Sequence, residues 1–229
     1  MRIYRNRETD LPPEDEGSRL RPEKKEVPAM TEHERIHKAL AAVTKATQSS
    51  PARWVIGGSA SLMLRGLPLS AEPRDLDLYC DDEDVHSIYQ ALKSFALDEP
   101  TISVTEMYRS KLSHFRIHDV QVELVGGFHV KACGSHYETM VRKLLMLFAE
   151  RVHLNEAALT VSIVPLAHEL WFNYLRDRMD RVDQIIQAFA KAPALHVDAL
   201  LAIEANNTFS MEAKRSLHHL IAAREGGGL

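Results

Sequence analysis

The sequence is short of cysteine, of long apolar runs and of positive charge, and each shortage excludes a class of protein. Its two cysteines, Cys80 and Cys133, match neither a disulfide framework nor a zinc site, so both are expected as free thiols. No apolar run approaches a membrane span, and the N-terminus is charged and proline-rich, so we expect a cytoplasmic protein with no membrane partner. The net charge of −4 argues against a broad basic surface for duplex DNA.

What the sequence does have is enough apolar content for a folded core. Its 229 residues are 45% apolar, which suits one large domain or two small ones. Residues 1–30 lack a periodic apolar pattern, so they are expected to form a disordered or extended arm. Residues 31–164 alternate between strand and helix patterns, and residues 165–229 are helical almost throughout. We therefore expect an α/β (α+β) domain with a mixed sheet flanked by helices, followed by a C-terminal helical region.

Local patterns predict where several elements begin and end. Thr31 with Glu34 forms a capping-box pattern that opens the first helix, and Ser135 with Glu138 forms another that predicts a helix in the middle of the chain. Two glycines at 126–127 are expected to end the strand before that helix. The helical region is predicted to contain helices near residues 165–177, 180–191, 196–204 and 210–223.

One stretch of the chain carries the strongest chemical signal. An apolar strand ends at Gly57 and Gly58, and Ser59 opens a helix. The next strand carries Asp75 and Asp77, which share a face because strand side chains alternate. Two such carboxylates repel each other unless a cation lies between them, and hard oxygen ligands suit magnesium, whereas backbone amides beside glycines favour an anion. A phosphate-binding turn beside a metal-binding carboxylate pair is typical of enzymes that catalyse phosphoryl or nucleotidyl transfer.

The order of these motifs resembles the DNA polymerase beta-like nucleotidyltransferase superfamily. Its members usually carry a third carboxylate on a later strand with apolar neighbours, and Glu123, between Val122 and Leu124, fits that description. The sequence of residues 55–66, Val-Ile-Gly-Gly-Ser-Ala-Ser-Leu-Met-Leu-Arg-Gly, is most similar to that of the AbiE-type toxin nucleotidyltransferases and their relatives. It is less similar to the aminoglycoside and lincosamide nucleotidyltransferases, which tend to place a tryptophan after the paired glycines.

The resemblance implies transfer of a nucleoside monophosphate from a nucleoside triphosphate to a hydroxyl group. The glycines and Ser59 would hold the β- and γ-phosphates of the donor, for which ATP is the first choice. Asp75 and Asp77 would bind two magnesium ions. Glu123 would ligate the second ion and take the proton of the acceptor hydroxyl.

A further pattern lies in the helical region. Toxin-type relatives often carry Arg-x-Lys-Asp-x-x-Asp, and this chain has a similar run in Arg178, Asp180 and Asp183, with Met179 in place of the lysine and with no residue between Arg178 and that position. The resemblance implies that Arg178 and Asp180 bind the nucleotide. Arg178, Arg181 or Lys143 would then supply the positive charge that the lysine normally gives the triphosphate. The alternative interpretation is a helix junction with exposed ion pairs, each of which contributes little to stability.

The acceptor stays open at the level of sequence. Toxin-type relatives imply RNA or protein as the acceptor, together with an inhibitory partner protein. The first alternative is an antibiotic-type small molecule; an open basic groove would favour RNA, and an enclosed acidic pocket would favour a cationic drug. The second alternative is a catalytically silent nucleotide-binding or interaction module of the same fold, which Met179 and the long loop before Asp75 keep open.

Overall fold

A mixed sheet organises the part of the chain that the structure describes. This computed structural model describes residues 30–154 and 159–225, so the predicted arm over residues 1–30 lies almost wholly outside the described residues. The strands are β1 (Trp54–Gly57), β2 (Asp75–Cys80), β3 (Thr101–Val104), β4 (Tyr108–Ile117), β5 (Val120–Ala132), β6 (Ser135–Glu138), β7 (Glu150–Leu154) and β8 (Leu159–Ile163). The helices are α1 (Glu32–Thr47), α2 (Gly58–Leu64), α3 (Val85–Leu92), α4 (Leu166–Leu175), α5 (Met179–Lys191), α6 (Val197–Asn206) and α7 (Met211–Glu225).

The strand order places the two motif strands side by side near the middle of the sheet. The order is β3-β4-β5-β2-β1-β8-β7, and β6 pairs with β5 beside this path. Strand β2 runs antiparallel to β1 and parallel to β5. The expected mixed sheet flanked by helices and followed by a helical region is therefore confirmed, and the C-terminal helices begin and end within a few residues of the predicted positions.

The predicted capping box at the start of α1 is confirmed, and a tight hairpin turn joins β4 to β5. The Thr31 hydroxyl accepts from the Glu34 N–H at 3.2 Å, and the Thr31 N–H donates to Glu34 Oε2 at 2.8 Å, which completes the capping box of α1. Strands β4 and β5 meet at a two-residue turn, where His118 and Asp119 have φ values of 51° and 64°. Positive φ at both positions is the backbone conformation that matches the twist of a tight hairpin.

The predicted helix after Ser135 is wrong. Residues 135–138 form β6, which alternates buried and half-buried side chains and pairs with β5 through a hairpin turn at Cys133 and Gly134. The apolar residues that follow lie in turns, with a short 3-10 helix at Leu145–Leu147. The N–H groups of Val141 and Arg142 donate to the Asp81 carboxylate at 2.8 and 2.9 Å instead of to an earlier helical turn. A contact across 60 residues of sequence overrides the local helical pattern.

The paired glycines at 126 and 127 do not end a strand, contrary to expectation, because β5 continues to Ala132. A Cβ atom on Gly126 would lie 2.0 Å from Val85 Cγ2, so the glycine lets α3 approach the strand. Gly127 has a φ of 50° and lies near an irregularity in the pairing with β4 between Arg109 and Lys111. Glycine inside a strand commonly marks such a close approach or irregularity.

Two apolar clusters cover the two faces of the sheet. Helices α1 and α3 pack on one face through residues such as Leu40 and Ile88. Helices α4 to α7 pack on the other, where Trp171 stacks on Phe209 with ring centroids 3.8 Å apart. This second cluster also contains Val55 and Tyr79, so the sheet and the helical region share a core, and a division at residue 165 stays a prediction. Among the described helices, none combines the length and apolar character needed to span a bilayer.

Candidate active site

A pocket of about 350 Å³ opens on the face of the sheet that α4 and α5 cover. One side, here called the sheet wall, carries the carboxylates of Asp75, Asp77 and Glu123 on β2 and β5. The opposite side, here called the helix wall, carries Glu169 and the three arginines 176, 178 and 181. The junction of β1 and α2 at residues 57–59, here called the glycine turn, enters the pocket through Gly58 and Ser59. Sequence motifs more than 100 residues apart thus meet in one cavity.

The parallel pairing of β2 with β5 sets the spacing of the sheet wall. Asp77 lies opposite Glu123 in the ladder, and Asp75 lies opposite Gln121. Because alternate residues share a face, the three carboxylates line the same side of the sheet, as the sequence predicts. The Gln121 amide donates to Glu123 Oε1 at 2.9 Å, and His114 Nε2 lies 3.9 Å from the same oxygen.

The clustering of negative charge shifts the protonation of Asp77. Burial and the neighbouring carboxylates of Asp75, Glu123 and Glu169 raise the pKa of Asp77 to about 8, and the opposing charge of Arg176 lowers it only in part. A carboxylate surrounded by other carboxylates is more stable with a proton or a cation beside it. The site therefore favours binding of a positive ion.

The paired glycines allow the turn to lie directly against β2. A Cβ atom on Gly57 would lie 2.0 Å from Tyr79 Cε2, and one on Gly58 would lie 2.0 Å from Asp77 Oδ2. Gly58 also has a φ of +63°, a conformation that other residues rarely adopt. Close approach to the Asp77 carboxylate thus explains the second glycine, and the phosphate-binding role that the motif implies stays a prediction.

Arginine side chains of the helix wall supply the positive charge of the pocket. Arg181 Nη2 donates to the Ser59 hydroxyl at 3.1 Å, which places a cation on the turn itself. Arg176 Nε donates to the Tyr108 hydroxyl at 3.0 Å, and its guanidinium lies 4.8 Å from the centre of the Phe172 ring. Stacking on an aromatic face holds a guanidinium while leaving its charge available.

The remaining predicted nucleotide-binding residues lie at the edge of the pocket or outside it. Arg178 lines the pocket and forms a two-pronged ion pair with Asp180 at 3.0 and 2.9 Å, in which both side chains are about half exposed. Asp180 itself does not line the pocket. Lys143 is exposed and lies outside the pocket lining, so it is not brought to the other predicted residues. Of the three cations considered as substitutes for the missing lysine, Arg181 makes the direct contact with the turn.

The sequence motifs missed two polar residues of α4. Glu169 is fully buried and accepts from the Ser61 hydroxyl at 2.8 Å, and Asn173 donates to the other carboxylate oxygen at 3.1 Å. A glutamate and an asparagine four residues apart share one face of a helix, and both interrupt an apolar segment. That interruption is the signal that could have identified them.

The donor atoms of the sheet wall suit a hard divalent cation. Carboxylate oxygens are the ligands that Mg²⁺ prefers, and a cation would offset the repulsion among the carboxylates that, together with burial, raises the pKa of Asp77. Within residues 30–154 and 159–225, no group of three or more histidine, cysteine, aspartate or glutamate side chains is already arranged to hold a metal ion. The chemistry of the donor set fits magnesium, with Asp75, Asp77 and Glu123 as the residues that would hold it.

Comparison with known proteins bears on the fold and on the class of protein. The model of the aminoglycoside-2''-adenylyltransferase family matches residues 39–147. A candidate nucleotidyltransferase of Thermotoga maritima, whose structure is known, is 19% identical, and the match covers 72% of this chain and 98% of that one with a TM-score of 0.56. The chain has the nucleotidyltransferase fold. The family match and the shared fold together support a place in the nucleotidyltransferase superfamily.

Other similarities to this fold are looser. The antibiotic-resistance factor ANT(2'')-Ia is 11% identical, with 84% of this chain and 97% of that chain covered at a TM-score of 0.46. The lincosamide antibiotic adenylyltransferase LnuA is 9% identical, with 65% and 94% covered at a TM-score of 0.40. A search of curated proteins finds no match. The matching family model is one that the sequence motif resembles less closely, so the similarity to AbiE-type toxins stays a prediction.

Proposed function

We propose that the protein is a magnesium-dependent nucleotidyltransferase that moves a nucleoside monophosphate, with AMP as the first choice, from a triphosphate to a hydroxyl acceptor. The observation that carries this proposal is the register that sets Glu123 opposite Asp77 in the pocket that Gly58 enters. The family match over residues 39–147 supports the same reaction class. Carboxylates for metal and a glycine turn for phosphate meet in one cavity, as this reaction requires.

The donor triphosphate would lie between the turn and the helix wall. Ser59 and Arg181, which already contact each other at 3.1 Å, would bind the β- and γ-phosphates. Arg178 would add a second cation at the outer edge, with Asp180 holding its guanidinium in place. Arginine suits this role because its planar group of donors matches phosphate oxygens. Together these arginines take the place of the lysine that Met179 replaces.

The carboxylates of the sheet wall would hold the metal. Magnesium bound by Asp75, Asp77 and Glu123 supplies charge neutralisation for the triphosphate and lowers the pKa of a bound hydroxyl. Arg176, fixed on Phe172, offsets part of the negative charge of Asp77. Glu123 would accept the proton of the acceptor hydroxyl, and Gln121 fixes its carboxylate through the 2.9 Å hydrogen bond.

Two classes of acceptor are proposed, and the surface of the pocket suits both in part. The toxin-type resemblance favours RNA or protein as the acceptor, and it also implies an inhibitory partner protein. A small molecule follows from the family match and from a cavity of about 350 Å³, a size that small ligands commonly occupy. The mixture of carboxylates on one wall and arginines on the other favours neither class.

The test of this proposal is a transfer assay with a defined panel. The purified chain is incubated with magnesium and each α-labelled triphosphate, against a total RNA extract, a protein extract and a set of hydroxyl-bearing small molecules. We expect one triphosphate to label one class of acceptor. Magnesium-dependent triphosphate binding without transfer to any acceptor would indicate the silent nucleotide-binding module instead, and absence of both would contradict the proposal.

A further inference from the structure

Helix α4 is buried on almost all sides and nevertheless carries three buried polar residues. His168, Glu169 and Asn173 are each less than 9% exposed, and Glu169 is not exposed at all. Burying a carboxyl group costs free energy unless hydrogen bonds replace its lost water. The hydrogen-bond partners of the Glu169 carboxyl group therefore indicate what its burial achieves.

Those partners lie on the first turn of α2 and on α4 itself. The Ser61 hydroxyl lies 2.8 Å from Glu169 Oε1 and also 3.0 Å from the Gly58 carbonyl oxygen. The Gly58 N–H also acts on the Glu169 carboxyl group, where it lowers the pKa and so offsets part of the effect of burial. The Asn173 amide donates to Glu169 Oε2 at 3.1 Å, which fixes the carboxyl group from its own helix. Glu169 is thus linked to the backbone of the glycine turn through Ser61.

The glycine turn has no free space on its other side. A Cβ atom on Gly58 would lie 2.0 Å from Asp77 Oδ2, so the backbone of the turn is in close contact with that carboxylate. The turn is therefore enclosed between Asp77 on the sheet wall and Glu169 on the helix wall. A change at Glu169 would alter the position of the turn relative to Asp77 and Arg181.

We propose that Glu169 is a positioning residue that holds the glycine turn against Asp77 and so fixes the binding site for the triphosphate. This inference rests on the proposed function. It assigns a role in the donor site to a residue of the helical region that none of the sequence motifs contains. Groups that orient direct ligands in this way typically change affinity or activity by roughly 10- to 100-fold when they are removed.

The alternative role for Glu169 is that of a direct metal ligand or proton acceptor, because it lines the pocket and its charge acts on Asp77. The two roles differ in what they require. A positioning role requires hydrogen bonds, and glutamine can make them: its oxygen can accept from the Asn173 amide, and its NH2 group can donate to the Ser61 hydroxyl, which then donates to the Gly58 carbonyl oxygen. A ligand or proton acceptor requires the carboxylate. Burial raises the pKa of Glu169, which favours the neutral form that glutamine imitates.

The experiment measures binding of α,β-methylene-ATP with magnesium to the full chain by titration calorimetry. Glu169→Leu should raise the Kd for the analogue by roughly 10-fold or more, and the Kd of Glu169→Gln should stay within about threefold of that of the wild-type protein. Ser61→Ala should weaken binding in the same direction, because it removes the link to Gly58. Leu170→Ala is the matched control: this buried neighbour on α4 should lower the melting temperature and leave affinity unchanged.

The outcomes separate this inference from the proposed function. If the wild-type protein binds, in the presence of magnesium, neither this analogue nor the α,β-methylene analogue of any other nucleoside triphosphate, the proposed function fails. If it binds and Glu169→Leu binds equally well, the positioning role is wrong. If Glu169→Gln loses as much affinity as Glu169→Leu, the carboxylate itself is required and the positioning role is again wrong. Should Glu169→Leu fail to fold, the test rests on Glu169→Gln and Ser61→Ala. The positioning role is wrong if both variants bind the analogue as tightly as the wild-type protein does. It is also wrong if Glu169→Gln binds the analogue more weakly by roughly 10-fold or more.

Discussion

The two walls of the pocket differ in charge and in how their residues are positioned. The sheet wall is acidic, and the backbone ladder between β2 and β5 sets its spacing. The helix wall carries arginines and a buried glutamate, and side-chain packing of α4 and α5 sets their positions. Under the proposed function, this difference predicts a division of roles, in which the sheet wall would bind metal and the helix wall would bind and position phosphate. The predictions below test this division, beginning with the largest effect.

Replacing a carboxylate of the sheet wall should abolish transfer. Asp77→Asn removes a metal ligand while keeping the size of the side chain, so we expect incorporation of α-labelled nucleotide to fall below detection. The melting temperature should not fall, because the substitution also removes a carboxylate that its neighbours repel. Unchanged turnover in Asp77→Asn would show that Asp77 does not hold the metal.

Removing a cation of the helix wall should weaken donor binding more than it slows chemistry. Arg181→Met deletes the contact with Ser59, and we expect the KM for the triphosphate to rise by roughly 10-fold with a smaller change in kcat. Steady-state kinetics with varied triphosphate at saturating magnesium measure both. A fall in kcat with constant KM would place Arg181 in the chemical step and so break the proposed division.

Lys143→Met is the matched control for that prediction. Lys143 and Arg181 were equal candidates on sequence, but Lys143 is exposed and lies outside the pocket lining. We expect its replacement to change neither KM nor kcat. A KM effect as large as that of Arg181→Met would contradict the placement of the two cations.

Sequence alone identified most of the sheet wall, because its signals are local. The glycine turn and the two aspartates lie within 21 residues of each other, and strand alternation fixes their shared face. Glu123 required one further step, the pairing of β5 with β2, which the structure confirms. The reaction class inferred from these residues depends on this short-range geometry.

The helix wall could not be derived in the same way. Glu169 contacts a residue 108 positions away, and Arg181 contacts one 122 positions away. Periodicity located α4 and α5 but could not tell which side chains face the turn. The incorrect helix after Ser135 has the same origin, because the Asp81 carboxylate binds the backbone of Val141 and Arg142. In each of these cases, contacts between residues far apart in the sequence determine the local structure or the position of a side chain, and local patterns do not show such contacts.

The charge of the sheet wall should make stability depend on pH when metal is absent. Asp77 has a pKa of about 8 in the folded chain against an ordinary value of 3.8. Between these values the folded chain keeps the proton and the unfolded chain releases it, so rising pH favours unfolding. In EDTA, the melting temperature should fall between about pH 5 and about pH 8, and Asp77→Asn should reduce that fall. An equal fall in both chains would contradict the assignment.

The smallest predicted effect lies far from both walls. Thr31→Ala removes the hydroxyl that accepts from the Glu34 N–H, and we expect a loss of about 1 kcal/mol in the free energy of unfolding. Differential scanning calorimetry should show a melting temperature lower by roughly 2–4 °C. Triphosphate affinity should be unchanged; a change would mean that α1 is coupled to the pocket.

The most direct measurement compares ATP labelled at the α-phosphate with ATP labelled at the γ-phosphate, in the presence of magnesium and the acceptor that the panel identifies. We predict that the α-label appears on the acceptor and that the γ-label leaves as pyrophosphate. Appearance of the γ-label on the acceptor would show phosphoryl transfer instead of nucleotidyl transfer. That result would contradict the role assigned to the pocket between the sheet wall and the helix wall.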